Sequence, residues 1–112
     1  MPTRSLSILA DTAAAAELRL AADLRASRAG DTMSGPAQAR TIAEDRRQAV
    51  DALDLLADAL PSGHARKTMA LLEVAHVSIA EEPDVIERWA KRWQRWADGE
   101  GTPGASGAPA AA

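Results

Sequence analysis

Cysteine, phenylalanine and tyrosine are absent from this sequence, and lysine is scarce. Without cysteine the chain has no disulfides, no thiolate metal ligands and no thiol nucleophile. No apolar run approaches the ~20 residues of a membrane-spanning helix, and the apolar stretch at residues 6–10 is shorter than the about 7–15 residues of a secretory signal. We therefore expect a cytoplasmic protein with no membrane partner. The abundance of alanine and arginine is typical of a GC-rich bacterial genome.

Size and charge narrow the range of partners. The 112 residues suffice for one domain with a single modest core. Alanine supplies much of the 46% apolar content, so the core has little volume per residue, which favours self-association. The net charge of −3 and the pI near 5.3 create no overall field that attracts nucleic acid, so nucleic acid is not the expected partner.

Four segments repeat apolar residues at the three- and four-residue spacing of a helix, and none alternates with the period of two that marks a strand. Gly30 predicts the end of the first helix, Pro61 the end of the second, and Ser62 is the predicted N-cap of the third. The first helix has an alternative start, at which Asp11 or Thr12 caps an alanine-rich segment. The predicted helices cover residues 5–29, 36–60, 63–80 and 84–97.

These helices predict an all-α fold, either an antiparallel four-helix bundle or a compact helical array. The helical domain covers residues 1–99. Residues 100–112 are rich in Gly, Ala and Pro and lack large apolar side chains, so we expect a disordered tail. Apolar residues surround the third helix almost completely, which predicts that it is the most buried of the four.

The tryptophans all lie in the fourth predicted helix. Trp89, Trp93 and Trp96 are spaced four and three residues apart, which places them within about 60° of one another on a helix. We expect this face to be largely buried, in the core or in a dimer interface. A basic stripe flanks it, formed by Arg88, Arg92 and Arg95. Aromatic and basic residues together also occur in nucleic-acid interfaces, but acidic residues on the same helix leave its net charge small.

The second predicted helix carries an acidic stripe, Asp51, Asp54 and Asp58, with the same three- and four-residue steps. Read in reverse, the arginines of the basic stripe step in the same way. We therefore predict that the two stripes face each other across antiparallel helices, within one chain or between two. A solvated acidic face is the simpler alternative.

Two further positions suggest chemistry. Glu73 and His76 have the i, i+3 spacing with which a helix binds a metal ion, but the sequence offers no clear second pair, so we expect no metal and no cofactor. A buried His76 beside a rim Glu73 is the structural alternative. Arg46 lies within the apolar face of the second helix; we expect its guanidinium to reach the bundle edge, the alternatives being an internal pair or an anionic ligand.

No catalytic motif is present: the sequence has no glycine-rich phosphate loop, no nucleophile elbow and no HExxH. We therefore expect a non-enzymatic protein–protein interaction module that self-associates and acts as an adaptor, regulator or assembly component. Its predicted interaction face consists of the three tryptophans, the basic stripe and the acidic stripe. The first alternative is a DNA-binding transcriptional regulator. The second is a metal-binding helical bundle that uses Glu73 and His76.

Overall fold

The computed structural model describes residues 2–30 and 35–101, with side chains for residues 6–30 and 35–99. This part consists of four helices and contains no β-strand, so the all-α prediction is confirmed. None of these helices is both long and apolar enough to cross a bilayer. The predicted disordered tail falls mainly on residues 102–112, outside the described residues. The helices are α1 (Pro2–Arg28), α2 (Gly35–Ala59), α3 (Ala65–Val77) and α4 (Pro83–Gly101).

The central helix is α1, which packs against both α2 and α4. Near its start the Ser7 hydroxyl donates to the carbonyl of Ala97 over 3.0 Å, and at its end Arg28 donates to the carbonyl of Glu81 over 2.8 Å. α4 therefore runs antiparallel to α1. A short connection makes α2 antiparallel to α1 as well, so α2 and α4 run in the same direction on either side of it.

Small side chains allow this close packing. The buried face of α1 is mainly alanine, which brings the neighbouring helix backbones close and leaves the larger side chains of α2 and α4 to fill the core. The small core volume predicted from the alanine content is therefore filled by the larger side chains of the neighbouring helices. Its largest fully buried apolar side chains are Trp93, Leu20, Leu53, Leu56, Leu60, Ile86 and Val77.

Helix boundaries differ from the predicted ones where local capping decides them. α1 begins at Pro2, which agrees with the earlier of the two predicted starts, and Gly30 follows its end with φ +75°. α4 continues past its predicted end at residue 97 to Gly101. Gly99 therefore lies inside this helix. A glycine at such a position weakens the helix by about 1 kcal/mol but does not have to end it.

The predicted cap of α3 was wrong. Gly63 has φ +87°, and the helix starts only after His64, whose Nδ1 accepts a hydrogen bond from the backbone N–H of Arg66 over 3.0 Å. A histidine nitrogen thus takes the capping role that the sequence suggested for Ser62. The helix is shorter than predicted at both ends.

The prediction that α3 is the most buried helix was also wrong. Its backbone packs most closely against α2, and side-chain contacts connect it to α4. Leu71 and Leu72 are exposed, as is Ile79 just beyond the helix end. A helix at the side of a bundle buries one stripe, whatever the character of its other faces. Within α3 the buried residues are Ala70, Glu73 and Val77.

Arg46 closes the C-terminal end of α3. Its Nη1 donates to the carbonyls of Val77 and Ala80 over 2.7 and 2.8 Å, and its Nη2 lies 3.3 Å from Glu81. The guanidinium thus satisfies carbonyls that a helix end leaves without partners. This is an internal role, whereas the sequence favoured a side chain that only reaches the bundle edge.

We expect Arg46→Ala to lower the free energy of unfolding by about 1.5–3 kcal/mol, the usual range for hydrogen bonds to a charged group. Arg47→Ala is the matched control, because its exposed side chain pairs with Glu44 one turn away, an interaction worth about 0.2–0.5 kcal/mol. Urea denaturation followed by circular dichroism measures both. Equal losses for the two variants would show that Arg46 does not hold α3.

Candidate functional site

The three tryptophans divide into one core residue and two partly exposed ones. Trp93 is 1% exposed, whereas Trp89 and Trp96 are half-buried. Trp93 and Trp96 pack edge to face, with ring centroids 5.7 Å apart. The predicted burial is therefore complete for Trp93 and partial for the other two tryptophans. Trp93 is buried within a single chain.

This tryptophan face holds α3 against α4. Trp96 meets His64 edge to face at 6.1 Å, and Trp89 lies 5.9 Å from the ring of His76. The guanidinium of Arg66 lies over the rings of both Trp93 and Trp96, at 5.8 and 5.7 Å from their centroids. A guanidinium is attracted to the face of an indole ring, and this attraction is stronger where water is excluded.

A buried carboxyl pair lies behind Trp93. The indole Nε1 of Trp93 donates to Glu73 Oε1 over 2.8 Å, and Glu73 in turn neighbours Glu17 of α1. Glu17 is fully buried, and no N–H or hydroxyl of the described protein reaches either of its oxygens. Its carboxyl interacts instead with that of Glu73, so the pair spans α1, α3 and α4 at the centre of the bundle.

The environment keeps this pair partly protonated. Burial, followed by the charge of Glu73 and a hydrogen bond to it, raises the pKa of Glu17 to about 10. Burial also raises the pKa of Glu73, although Trp93 and the positive charges of Arg92 and Arg66 oppose the rise. We therefore expect Glu17 to be neutral at pH 7, so that its proton is available as a donor to Glu73.

A second acidic pair lies between α1 and α2. Burial and the neighbouring Asp23 raise the pKa of Asp45 to about 6, while the positive charge of Arg19 opposes the rise. Two carboxyls that approach each other in a low-dielectric region avoid carrying both charges. Both pairs therefore place a titrating proton at a contact between helices.

No third ligand joins the metal candidates Glu73 and His76 in the part of the chain that the structure describes. Glu73 and His76 line one small groove of about 220 Å³ between α3 and α4, together with Arg92, a cation that cannot bind a metal ion. The alternative of a buried His76 beside a rim Glu73 was wrong: Glu73 is buried and accepts a hydrogen bond from Trp93, whereas His76 is exposed. Within the described part of the chain no group of three or more potential ligands converges. The groove is also smaller than the ~300–1,000 Å³ of typical ligand pockets.

The acidic and basic stripes do not meet within one chain. Asp51, Asp54 and Asp58 are exposed on α2, which runs parallel to α4 with α1 between them, so the predicted antiparallel register is impossible there. None of these aspartates forms an ion pair with a described residue. Arg88 and Arg95 are exposed, whereas Arg92 turns toward Glu73. Pairing between two chains stays a prediction.

A groove of about 730 Å³ lies between α1 and α2. Ile8 and Leu55 lie on opposite sides of it and are each 59% exposed, although both are large apolar side chains. Alanines also line it, as do polar residues that include Arg19 and Asp51. No described element of the chain covers this groove.

Sequence reasoning missed the importance of Glu17. Its neighbours one turn away on the same face, Ala13, Ala14 and Ala21, are all apolar, so its position on the buried stripe was visible. However, a glutamate among alanines on a helix is equally consistent with a position at the edge of the buried face, because its long side chain can reach solvent. The signal that distinguishes the two is Glu73 on another helix, which only the packing brings near.

The fold and these surfaces define a small all-α bundle with a buried carboxyl pair and an apolar groove that no described residue covers. Comparison with protein-family models, with curated proteins and with solved structures finds no match to the chain.

Proposed function

We propose that this chain is a non-enzymatic protein–protein interaction module that self-associates, and that it acts as an adaptor, regulator or assembly component in the cytoplasm. The observation that carries the proposal is the uncovered groove between α1 and α2, with Ile8 and Leu55 exposed on its two sides. Scattered apolar residues are common on protein surfaces, but an apolar groove with large side chains at both edges is typical of a docking site.

The internal geometry supports binding rather than catalysis. The titrating group with the largest change in pKa, Glu17, is fully enclosed, and Glu73 borders a groove smaller than ordinary ligand pockets. A general acid or base must reach a substrate atom within hydrogen-bond distance. We therefore assign the pair a structural role in the bundle.

The DNA-binding alternative receives less support. The acidic residues at the start of α4, Asp84 and Glu87, both pair with Arg25 of α1. A recognition helix reads base edges with residues near its N-terminal end, and here those positions are acidic or already bonded to α1. The tryptophan face of α4 is turned toward α3, so it is not free to meet a groove of DNA.

Light scattering coupled to size-exclusion chromatography tests the proposal. We expect the wild type to form a dimer or larger species whose share rises with concentration, and Ile8→Glu or Leu55→Glu to convert it to monomer, because each places a charge in the apolar groove. Leu71→Glu is the matched control: this leucine is also half-exposed, on α3 away from the groove. A wild type that stays monomeric at every concentration would contradict the proposal. So would a loss of the dimer that is caused by Leu71→Glu and by neither groove variant.

A further inference from the structure

The groove has charges and side-chain sizes that are complementary to a second copy of itself. We propose that two chains associate through antiparallel packing of α1 against α1, with a two-fold axis beside Ala15. This inference rests on the proposed self-association and names its surface, register and partner.

Ala15 is the centre of the exposed face of α1. Asp11 and Arg19 lie four residues before and after it, and Ile8 and Ala22 lie seven residues before and after it. At 100° per residue all five fall within about 80° of one another, on the side that faces away from the core. All five are exposed in the single chain.

A two-fold axis beside Ala15 pairs these residues with opposites. In an antiparallel contact, a residue before the axis meets the residue equally far beyond it on the partner helix. Asp11 then meets Arg19 of the second copy, and Ile8, the large side chain, meets Ala22, a small one. Each pairing occurs twice, because a two-fold interface uses the same patch on both chains.

Small residues at the crossing point suit this geometry. Ala15 has no bulk beyond Cβ, so the two helices can approach to the short end of the usual 8–10 Å range of interaxial distances. Leu55 stands beside the groove on α2 and adds apolar area against the incoming helix. Asp11 has no ion pair with any described residue, whereas Arg19 donates to Gln48 over 2.9 Å, so its guanidinium is already held at the groove edge.

The absence of cysteine makes cross-linking a direct test of the register. Under mild oxidation of the full chain, Ala15→Cys is expected to form a disulfide-linked dimer, because the two introduced thiols lie beside the axis. Ala22→Cys is the matched control: it is equally exposed on the same helix, but its two copies would lie about 20 Å apart along the helix axis at 1.5 Å per residue. A mixture of Ile8→Cys and Ala22→Cys chains is expected to form the mixed dimer.

A charge exchange tests the same register without oxidation. Asp11→Arg and Arg19→Asp should each weaken dimerisation, roughly tenfold if both symmetric pairs become repulsive, and the double variant should restore it. Cross-linking of Ala22→Cys as fast as Ala15→Cys, or additive losses in the double variant, would overturn this register. If the wild type is dimeric and the register fails, self-association uses another face and the proposed function stands. A wild type that is monomeric throughout would overturn both.

Discussion

Trp93→Ala is expected to lower the free energy of unfolding by about 3–5 kcal/mol, the range observed when a large aromatic residue is removed from a core. Trp93 is the largest fully buried side chain, and its loss leaves a cavity where α3, α4 and α1 meet. The same change removes the N–H donor of Glu73, a buried carboxyl that lies beside a second acid, Glu17. Urea denaturation followed by circular dichroism measures the loss, since the helical signal does not depend on the missing indole.

Two variants separate packing from hydrogen bonding. Trp93→Phe keeps much of the ring volume and removes the donor, so its cost should be smaller, about 1–3 kcal/mol. Trp89→Ala is the matched control, because this indole lies on the same face of α4 but is half-buried against the exposed His76. If Trp93→Ala costs no more than Trp89→Ala, Trp93 is not the centre of the core.

Glu17→Gln is expected to stabilise the protein at pH 8 and to remove most of the pH dependence of its stability. The pKa of Glu17 is about 10 in the fold, against 4.5 as its ordinary value. Between these values the folded chain keeps a proton that the unfolded chain loses, so the free energy of unfolding falls as pH rises, by at most about 1.4 kcal/mol per pH unit. The amide keeps the shape, stays neutral and still donates to Glu73.

The other acidic groups determine the range in which this prediction is clearest. Asp45, with a pKa of about 6, also makes the free energy of unfolding fall as pH rises, but only up to about pH 6. The pKa values of Asp84, Glu87 and Glu44 are lowered by arginine partners, so their small stabilising contributions are lost only in acid. From pH 6 to pH 9 the decline therefore belongs to the Glu17–Glu73 pair.

Denaturation curves at a series of pH values from 5 to 9 measure this decline. Glu44→Gln is the matched control: it makes the same chemical change at an exposed position and should leave the slope between pH 6 and pH 9 unaltered. A flat wild-type profile in that range, or a Glu17→Gln variant less stable than wild type at pH 8, would show that Glu17 is ionised in the fold.

Local sequence signals were sufficient for the helices and their approximate ends. The apolar spacing predicted all four helices, and Gly30 and Pro61 marked the ends of α1 and α2 to within a residue or two. These signals work because they act within one turn of the chain. The cap of α3 was missed because a histidine nitrogen accepts the N–H there, a role in which the usual capping residues are more common.

The sequence by itself determined the helical class, the periodic faces and the single aromatic face, because each depends on neighbours three or four residues apart. Only the tertiary structure decided which helix is central, which partner Arg46 has, and that Glu17 and Glu73 meet behind Trp93. Those outcomes depend on contacts between residues far apart in the chain. Such contacts follow from how alanine-rich and leucine-rich faces pack together, which the period of a single helix does not specify.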